Sequence, residues 1–187
     1  MDKKIKTINI YTDGACSGNQ FDTNIGGWGA ILEYGSRTKE LYGGEKNTTN
    51  NRMELIAVIS ALEALTKKDY AIRIFSDSSY IMNCLRQKWY ENWMSNGWKT
   101  AGKKPVENKD LWERLLAFIT EYDFRFYLVK GHISPKASDE TFEKNFAKFK
   151  ENNGDSFSMD DFRYIVGKNN RADALANQGI DEVRGEA

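Results

Sequence analysis

Alternating apolar and polar positions predict five short strands along the chain. They lie at residues 6–11, 28–34, 38–42, 71–75 and 123–129. Gly35 and Ser36 form the turn of a hairpin between the second and third strands. A helical pattern separates the fourth strand from those before and after it. This order favours parallel pairing of the later strands and therefore an α/β fold.

Apolar residues at helical spacing predict helices at residues 51–67, 80–86, 111–121 and 171–178. Thr48, Thr49 and Asn50 are candidate caps for the first of these helices. The paired asparagines at 169–170 are candidate caps for the last helix, and Gly179 is its predicted stop.

The segment 133–168 has the pattern of a helical insertion before the last helix. Its first predicted helix has three phenylalanines at i, i+4 and i+7 and a glycine stop, namely Phe142, Phe146, Phe149 and Gly154. Ser158 and Asp161 resemble a capping box that begins a second short helix, and Gly167 ends it. We expect the phenylalanine-rich faces of these helices to pack on each other or on the main domain.

Composition and charge restrict the class of protein. A chain of 187 residues with 40% hydrophobic content predicts a single domain, residues 1–187, with a real core. Its formal net charge of +0 excludes a general polyanion-binding surface, so any contact with nucleic acid requires a local basic patch. No apolar run approaches a membrane span. The two cysteines fit a reducing cytoplasm, so we expect a cytoplasmic protein without a membrane partner.

Four acidic residues stand at positions where they could meet. Asp13 and Asp77 each follow a predicted strand, and ligand sites of such sheets lie beyond the carboxyl ends of the strands. Glu54 heads the apolar stripe of one helix, and Asp173 lies in the predicted first turn of another. Each also has an ordinary explanation, since an Asp after a strand forms turns or caps and an acid in a first turn complements the helix dipole.

Taken together, the four acids indicate a site for divalent cations. Mg²⁺ prefers carboxylate oxygens as ligands and keeps several sites for water and phosphate oxygens. Two such ions, about 3.5–4 Å apart, can support hydrolysis of a phosphodiester by in-line displacement. No cysteine–histidine cluster offers a zinc site as an alternative.

Residues 86–109, which we call the handle, combine basic and aromatic side chains. The set comprises Arg86, Lys88, Trp89, Tyr90, Trp93, Trp98, Lys99, Lys103, Lys104 and Lys109. Such a mixture suits nucleic-acid phosphates and bases. The alternative is a protrusion anchored by packed tryptophans with a solvated basic face. Outside the handle, His132 is the single histidine, and its place after the last strand suits a proton shuttle.

Several stretches closely resemble the ribonuclease HI family, the type 1 ribonucleases H. They are YTDGACSGN at 11–19, GGWGAIL at 26–32, TTNNRMEL at 48–55, SDS at 76–78, GWKTA at 97–101, KKPV at 103–106, NKDLW at 108–112, VKGH at 129–132 and NRADALA at 170–176. Their order and spacing agree with the family across nearly the whole chain except 133–168 and the last few residues.

The resemblance implies a mixed five-stranded sheet, strands 1–3 antiparallel, flanked by helices. It implies an endonuclease that hydrolyses the RNA strand of RNA/DNA hybrids to leave 5′-phosphate and 3′-hydroxyl ends, and that removes RNA from hybrids during DNA replication and repair. The implied cofactor is Mg²⁺, two ions per site, with Mn²⁺ as a possible substitute. The implied partner is the RNA/DNA hybrid, bound by a monomer.

The family's site residues map onto this sequence one by one. Its metal-binding and catalytic acids match Asp13, Glu54, Asp77 and Asp173, and its catalytic loop histidine matches His132. Its substrate contacts match Asn19, Thr49, Asn50, Asn51 and Arg52, together with Trp89, Trp93, Lys99, Lys103 and Lys104 of the handle. Asparagines at such positions reach RNA 2′-hydroxyls, and Thr49 matches a contact to a DNA phosphate.

Two features depart from the family. Residues 133–168 lengthen the segment between His132 and Asp173 well beyond the usual spacing. This insertion would be a lid or flap that contacts the hybrid, or else a peripheral helical hairpin. Ser79 also stands where many relatives have Gln, so one minor-groove contact would be missing.

Two other functions compete with the hybrid nuclease. A non-catalytic hybrid-binding module would not require four intact acids. A nuclease or transposase of the same fold that acts on DNA would not require the asparagine-rich segment at 48–52 together with the basic handle.

Overall fold

The computed structural model describes residues 6–18 and 24–185. Its five strands are β1 (Lys6–Ser17), β2 (Ile25–Tyr34), β3 (Arg37–Lys46), β4 (Tyr70–Ser76) and β5 (Asp123–Leu128). They form one sheet in the order β3-β2-β1-β4-β5. β1, β2 and β3 pair antiparallel, whereas β4 pairs parallel with both β1 and β5. The predicted mixed five-stranded sheet is therefore confirmed.

Six helices are described with the sheet. They are α1 (Asn50–Glu63), α2 (Ser79–Arg86), α3 (Trp89–Ser95), α4 (Lys109–Ile119), α5 (Asp139–Asn153) and α6 (Met159–Gly185). Within the described ranges, none is both long and apolar enough to cross a bilayer.

β1 is longer than its apolar pattern indicates. It continues through Asp13 to Ser17, and Asp13 pairs with Gly29 of β2. The prediction that Asp13 ends the strand was wrong, because β2 extends the ladder with a glycine-rich edge that sequence periodicity does not register. Side chains at Gly27 and Gly29 would overlap the backbone of α6 at Ala176 and Ala172. These glycines let α6 lie directly on the sheet.

The last helix also differs from the prediction. Met159–Gly185 is one helix of 27 residues, so the predicted second insertion helix and the predicted last helix are continuous. Gly167 and Gly179 lie inside it and do not stop it. Gly179 packs on the backbone of Gly43, where a side chain would not fit. Asn170 is not a cap, since its amide donates to the carbonyl of Ile133. Asp173 therefore lies in the middle of a helix.

Two hydrophobic clusters cover the two faces of the sheet. Neighbouring residues of a strand face opposite sides, so Ile10 belongs to one cluster and Tyr11 to the other. The first cluster is mainly aliphatic and packs the sheet on α1, α2 and α4. The second is rich in aromatic rings and packs the sheet on α5 and α6. The insertion therefore belongs to the core of the domain.

The first half of the insertion follows its prediction. Phe142, Phe146 and Phe149 of α5 all pack on Phe162 of α6, with ring centroids 5.2–6.3 Å apart. Gly154 ends α5 with a positive φ of 86°. The capping box is present as well, because the Ser158 amide donates to the Asp161 carboxylate and the Asp161 amide donates to the Ser158 hydroxyl.

Candidate metal centre

Three of the four predicted acids meet at one point. Carboxylate oxygens of Asp13, Glu54 and Asp77 all lie within 4.8 Å of one another. Asp13 projects from β1, Glu54 from α1 and Asp77 from the residue after β4. Asp13 is 4% exposed and Glu54 is 7% exposed. Such burial is exceptional for unpaired carboxylates and indicates that a cation completes the site.

Glu54 is positioned by local packing of α1 against β1. The Thr49 hydroxyl caps α1 by accepting from the backbone N–H of Arg52. Gly14 permits the close approach, since a Cβ there would lie 2.5 Å from the Glu54 nitrogen. The first turn of α1 contains no acid, so Glu54 does not serve as its dipole complement.

Asp77 lies between two serines that fix the chain around it. The Ser78 amide donates to the Ser76 hydroxyl over 3.0 Å, and the Ser78 hydroxyl accepts from Ile81 to cap α2. Because Ser78 is the cap, the carboxylate of Asp77 remains available to the site. Gly131 packs against it so closely that a Cβ at that position would overlap Oδ2 of Asp77. This supporting role of Gly131 was not predicted, although a glycine that follows a strand and precedes His132 could have indicated it.

Asp173 reaches the same site from the middle of α6. It is half-buried and close enough for its charge to raise the pKa of Asp13, although it is outside the set of three that share the 4.8 Å separation. Ala172 and Ala176 on either side of it contact the glycines of β2, which places this turn of α6 at the end of the sheet. All four predicted acids are therefore neighbours.

The raised pKa values of three of the acids show that the charged carboxylate cluster is unfavourable without a cation. Burial, followed by the charges of Asp77 and Asp173, raises the pKa of Asp13 to about 8. Burial and then the charges of Asp13 and Asp77 raise the pKa of Glu54 well above its usual range. Burial also raises the pKa of Asp77, against the opposing effects of a hydrogen bond from Asp13 and the charge of His132.

The donor set fits a hard divalent cation. All four candidate ligands are carboxylates, which suit Mg²⁺ or Mn²⁺. Oε2 of Glu54 is buried and lacks any hydrogen-bond partner among the described residues. A bound cation would satisfy this oxygen and offset the mutual repulsion of the acids.

His132 lies at the rim of the carboxylate cluster. It is exposed, and its backbone has a positive φ of 59° immediately after Gly131. Its charge acts on Asp77. The histidine predicted from sequence therefore lies beside the acids despite the long segment that follows it.

The predicted substrate contacts at the start of α1 are exposed, with one exception. Thr49, Asn50 and Asn51 face solvent. Arg52 instead forms a two-pronged pair with Asp110, at 3.2 Å for each hydrogen bond, and so links the starts of α1 and α4. Asn19, the remaining predicted contact near the acids, is outside the described residues.

The handle contains α3 and a β-bridge between Lys99 and Pro105. Trp93 packs on Trp98 and on the fully buried Trp112, so the tryptophans anchor the handle to the aliphatic cluster. The three predicted contact lysines, Lys99, Lys103 and Lys104, are exposed.

Arg86, counted with the basic handle in the sequence, has a different role. Its guanidinium donates to the carbonyls of Phe126 and Asn152 and to the side chain of Asn153. It joins α2, β5 and the end of α5. These contacts give Arg86 a structural role that the basic composition of the handle did not indicate.

Comparisons with known proteins identify the family of the chain. The RNase H family model matches residues 5–147. The chain is 54% identical to a ribonuclease H of Chlorobaculum parvum over 127 residues, which are 68% of this chain and 84% of that protein. It is 44% identical to a ribonuclease H of Alcanivorax borkumensis over 180 residues, 96% of this chain and 95% of the relative. An alignment of that length includes most of the 133–168 insertion.

Solved structures show the same fold at lower identity. LC9-RNase H1, described as a type 1 RNase H with the type 2 active-site motif, superposes with a TM-score of 0.62 at 22% identity, covering 90% of this chain and 87% of that one. The RNase H domain of PFV superposes with a TM-score of 0.60 at 22% identity, covering 94% and 95% of the two chains.

Proposed function

The chain belongs to the ribonuclease H family, and we propose that it hydrolyses the RNA strand of RNA/DNA hybrids. The products are 5′-phosphate and 3′-hydroxyl ends, and the reaction removes RNA from hybrids during DNA replication and repair. The chain acts as a cytoplasmic monomer and a single catalytic domain. The observation that carries the proposal is the meeting of three carboxylates within 4.8 Å, two of them buried and the third half-buried, with one oxygen of Glu54 left without a partner among the described residues.

Asp13, Glu54, Asp77 and Asp173 are the residues that would hold the metal. Two Mg²⁺ ions, or Mn²⁺ in their place, would stabilise the charge that develops on the attacking and leaving oxygens. The protein supplies the fixed framework, because Asp13 lies in a paired strand and the backbone of Glu54 packs closely on Gly14.

His132 would handle protons as the product leaves. Its exposed imidazole lies beside Asp77, where it can act as a general acid or base. Gly131 keeps this loop against the carboxylate without displacing it.

Substrate choice would come from two separate surfaces. Asn50 and Asn51, exposed at the start of α1, can read the 2′-hydroxyls that distinguish RNA from DNA. Thr49 and the handle lysines can hold phosphates of the DNA strand, which provides affinity without sequence preference. Trp89 and Trp93 would shape the handle and contact the DNA backbone. Arg52 would act by holding the α1 terminus in place through Asp110.

The competing functions are less well supported. A module that only binds hybrids would gain nothing from burying mutually repelling acids. A nuclease for double-stranded DNA would have no use for asparagines exposed where they could reach a 2′-hydroxyl.

A cleavage assay on three substrates tests the proposal. Labelled RNA/DNA hybrid, double-stranded RNA and double-stranded DNA of one sequence are incubated with the protein and Mg²⁺ and resolved on a gel. We expect cleavage of the RNA strand of the hybrid alone. Asp13→Asn should lower the rate by roughly 10³-fold or more, since the metals contribute several kcal/mol. The matched control is the exposed Asp155→Asn, which should retain full activity. Wild-type turnover by Asp13→Asn would refute the metal assignment.

A further inference from the structure

A cavity of about 270 Å³ is lined in part by Asp77. Its wall on one side comes from the candidate metal centre and its surroundings, through Asp77, Ser79 and Lys130. Its opposite wall comes from the insertion, through Asn145, Lys148 and Asn152 of α5. The insertion therefore borders the candidate metal centre on the side of Ser79, whose side chain is smaller than the Gln that many relatives have at this position.

The orientation of α5 is determined by its aromatic side. Asn145, Lys148 and Asn152 have the spacing i, i+3 and i+7, which places them on one face of the helix. The neighbouring face carries the phenylalanines that pack on Phe162. Because that packing holds one side of α5 in the core, its polar and basic side must face the cavity.

α5 is fixed to the sheet at its end nearest the site. The side-chain amide of Asn153 accepts from the backbone N–H of Leu128 and donates to its carbonyl, both over 2.9 Å. Arg86 adds hydrogen bonds to Asn152 and Asn153. These hydrogen bonds hold the end of α5 against β5. We therefore treat α5 as a fixed side of the cavity and not as a hinged lid.

The charge around the cavity suits an anionic chain. Among the described residues that line it, Asp77 is the single acid, and Lys130 and Lys148 are both exposed. The volume is just below the range of roughly 300–1,000 Å³ usual for small-molecule sites. A short stretch of sugar-phosphate backbone that continues from the metal centre fits both the size and the charge.

We propose that this cavity binds the backbone of the strand being cut, next to the scissile phosphate, with Lys148 on a phosphate oxygen and Asn152 near a sugar hydroxyl. The proposal rests on the hybrid-nuclease function. It gives the insertion a role as a fixed extension of the substrate groove.

Steady-state kinetics on the hybrid at several salt concentrations test this contact. Lys148→Ala should raise KM by about ten-fold, roughly the effect of one charge-assisted contact, and should lower kcat much less. The slope of log(kcat/KM) against log salt should become shallower by about 0.7–0.9, the value for one phosphate contact. The matched control is Lys150→Ala on the same helix, whose ammonium lies over the Phe146 ring, 4.8 Å from its centroid. It should leave KM and the salt slope unchanged.

A neutral methylphosphonate placed at successive linkages of the RNA strand locates the contact. At the phosphate that Lys148 binds, the neutral linkage should raise the KM of the wild type. It should not raise the KM of Lys148→Ala any further, because that variant has already lost the contact. The inference is overturned if Lys148→Ala behaves like Lys150→Ala, or if the coupling appears only with neutral linkages in the DNA strand. If the unmodified protein does not cleave hybrids, the proposed function fails and this inference fails with it.

Discussion

The two faces of the sheet hold the four acids by different means. Glu54 comes from the aliphatic side, where α1 is set by its cap and by the Gly14 contact. Asp173 comes from the aromatic side, where α6 is anchored at its start by Phe162 and pressed onto the glycines of β2 in its middle. Asp13 is placed by β1, between the two.

Along α6, the residues that anchor the helix differ from those that position Asp173. The turn that carries Asp173 is fixed by the backbone of Ala172 and Ala176 against the sheet, whereas the phenylalanine cluster lies further towards the start of the helix. We therefore expect the aromatic side to determine stability and the glycine contacts to determine the geometry of the site.

Truncation of Phe162 should destabilise the protein without inactivating it. Phe162 is fully buried among three other phenylalanine rings, so Phe162→Ala should lower the free energy of unfolding by about 3–5 kcal/mol. Denaturant unfolding measures this change, and activity per folded molecule at low temperature should remain within a few-fold of wild type. The exposed Met94→Ala is the control. A hundred-fold loss of activity in the folded variant would show that the cluster also positions Asp173.

Gly131→Ala should have the opposite signature. The new Cβ would overlap Oδ2 of Asp77, so the carboxylate must move away from its partners. A displacement of this size should reduce kcat about 10- to 100-fold. The unfolding free energy should change by less than about 1 kcal/mol, because Gly131 lies in a loop beside the exposed His132 and outside the hydrophobic clusters.

Gly167→Ala is the matched glycine control for that experiment. Gly167 lies within α6 and has open space where a Cβ would be added. Alanine there should raise stability by about 0.5–1 kcal/mol through helix propensity and leave kcat unchanged. Equal loss of activity in the two variants would contradict the role assigned to Gly131.

Glycine residues also show where prediction of the fold from sequence succeeded and where it failed. Strands, α1 with its cap and the α5 stop at Gly154 follow from local patterns, and all are present. The continuity of α6 did not follow, because Gly167 and Gly179 have the composition of helix ends. Gly179 is in fact needed for contact with Gly43, which is distant in sequence, and the helix is held by packing that local propensity does not include.

The site was predictable in its membership but not in its geometry. The motifs identified all four acids, and the structure brings them together. They could not show that Asp13 lies inside a strand, because the extension of β1 depends on pairing with β2. Nor could they show that Arg86 joins α2 to α5, since that partnership exists only after the insertion folds onto β5.

The carboxylate centre should itself reduce stability, in contrast to the aromatic cluster. The folded-state pKa of Asp13, about 8, is above the value of 3.8 expected for an unfolded Asp. The folded protein therefore binds more protons than the unfolded chain between these values, and the stability contributed by this site declines as pH rises from about 4 to 8. Asn cannot ionise and escapes this loss. In the absence of divalent metal, Asp13→Asn should be more stable than wild type by about 1–2 kcal/mol at pH 7, and the difference should vanish near pH 4.

Denaturant unfolding in EDTA across this pH range measures the effect, with Asp155→Asn as the exposed control. A gain that persists at pH 4 would mean that the substitution acts through packing and not through charge. Adding Mg²⁺ should reverse the order at pH 7, because a cation that binds only the folded wild type stabilises it in proportion to the logarithm of its concentration. If Asp13→Asn remains more stable than the wild type in Mg²⁺, the buried acids are not the metal ligands. The proposed contrast between a stabilising aromatic side and a metal-dependent acidic centre is then wrong.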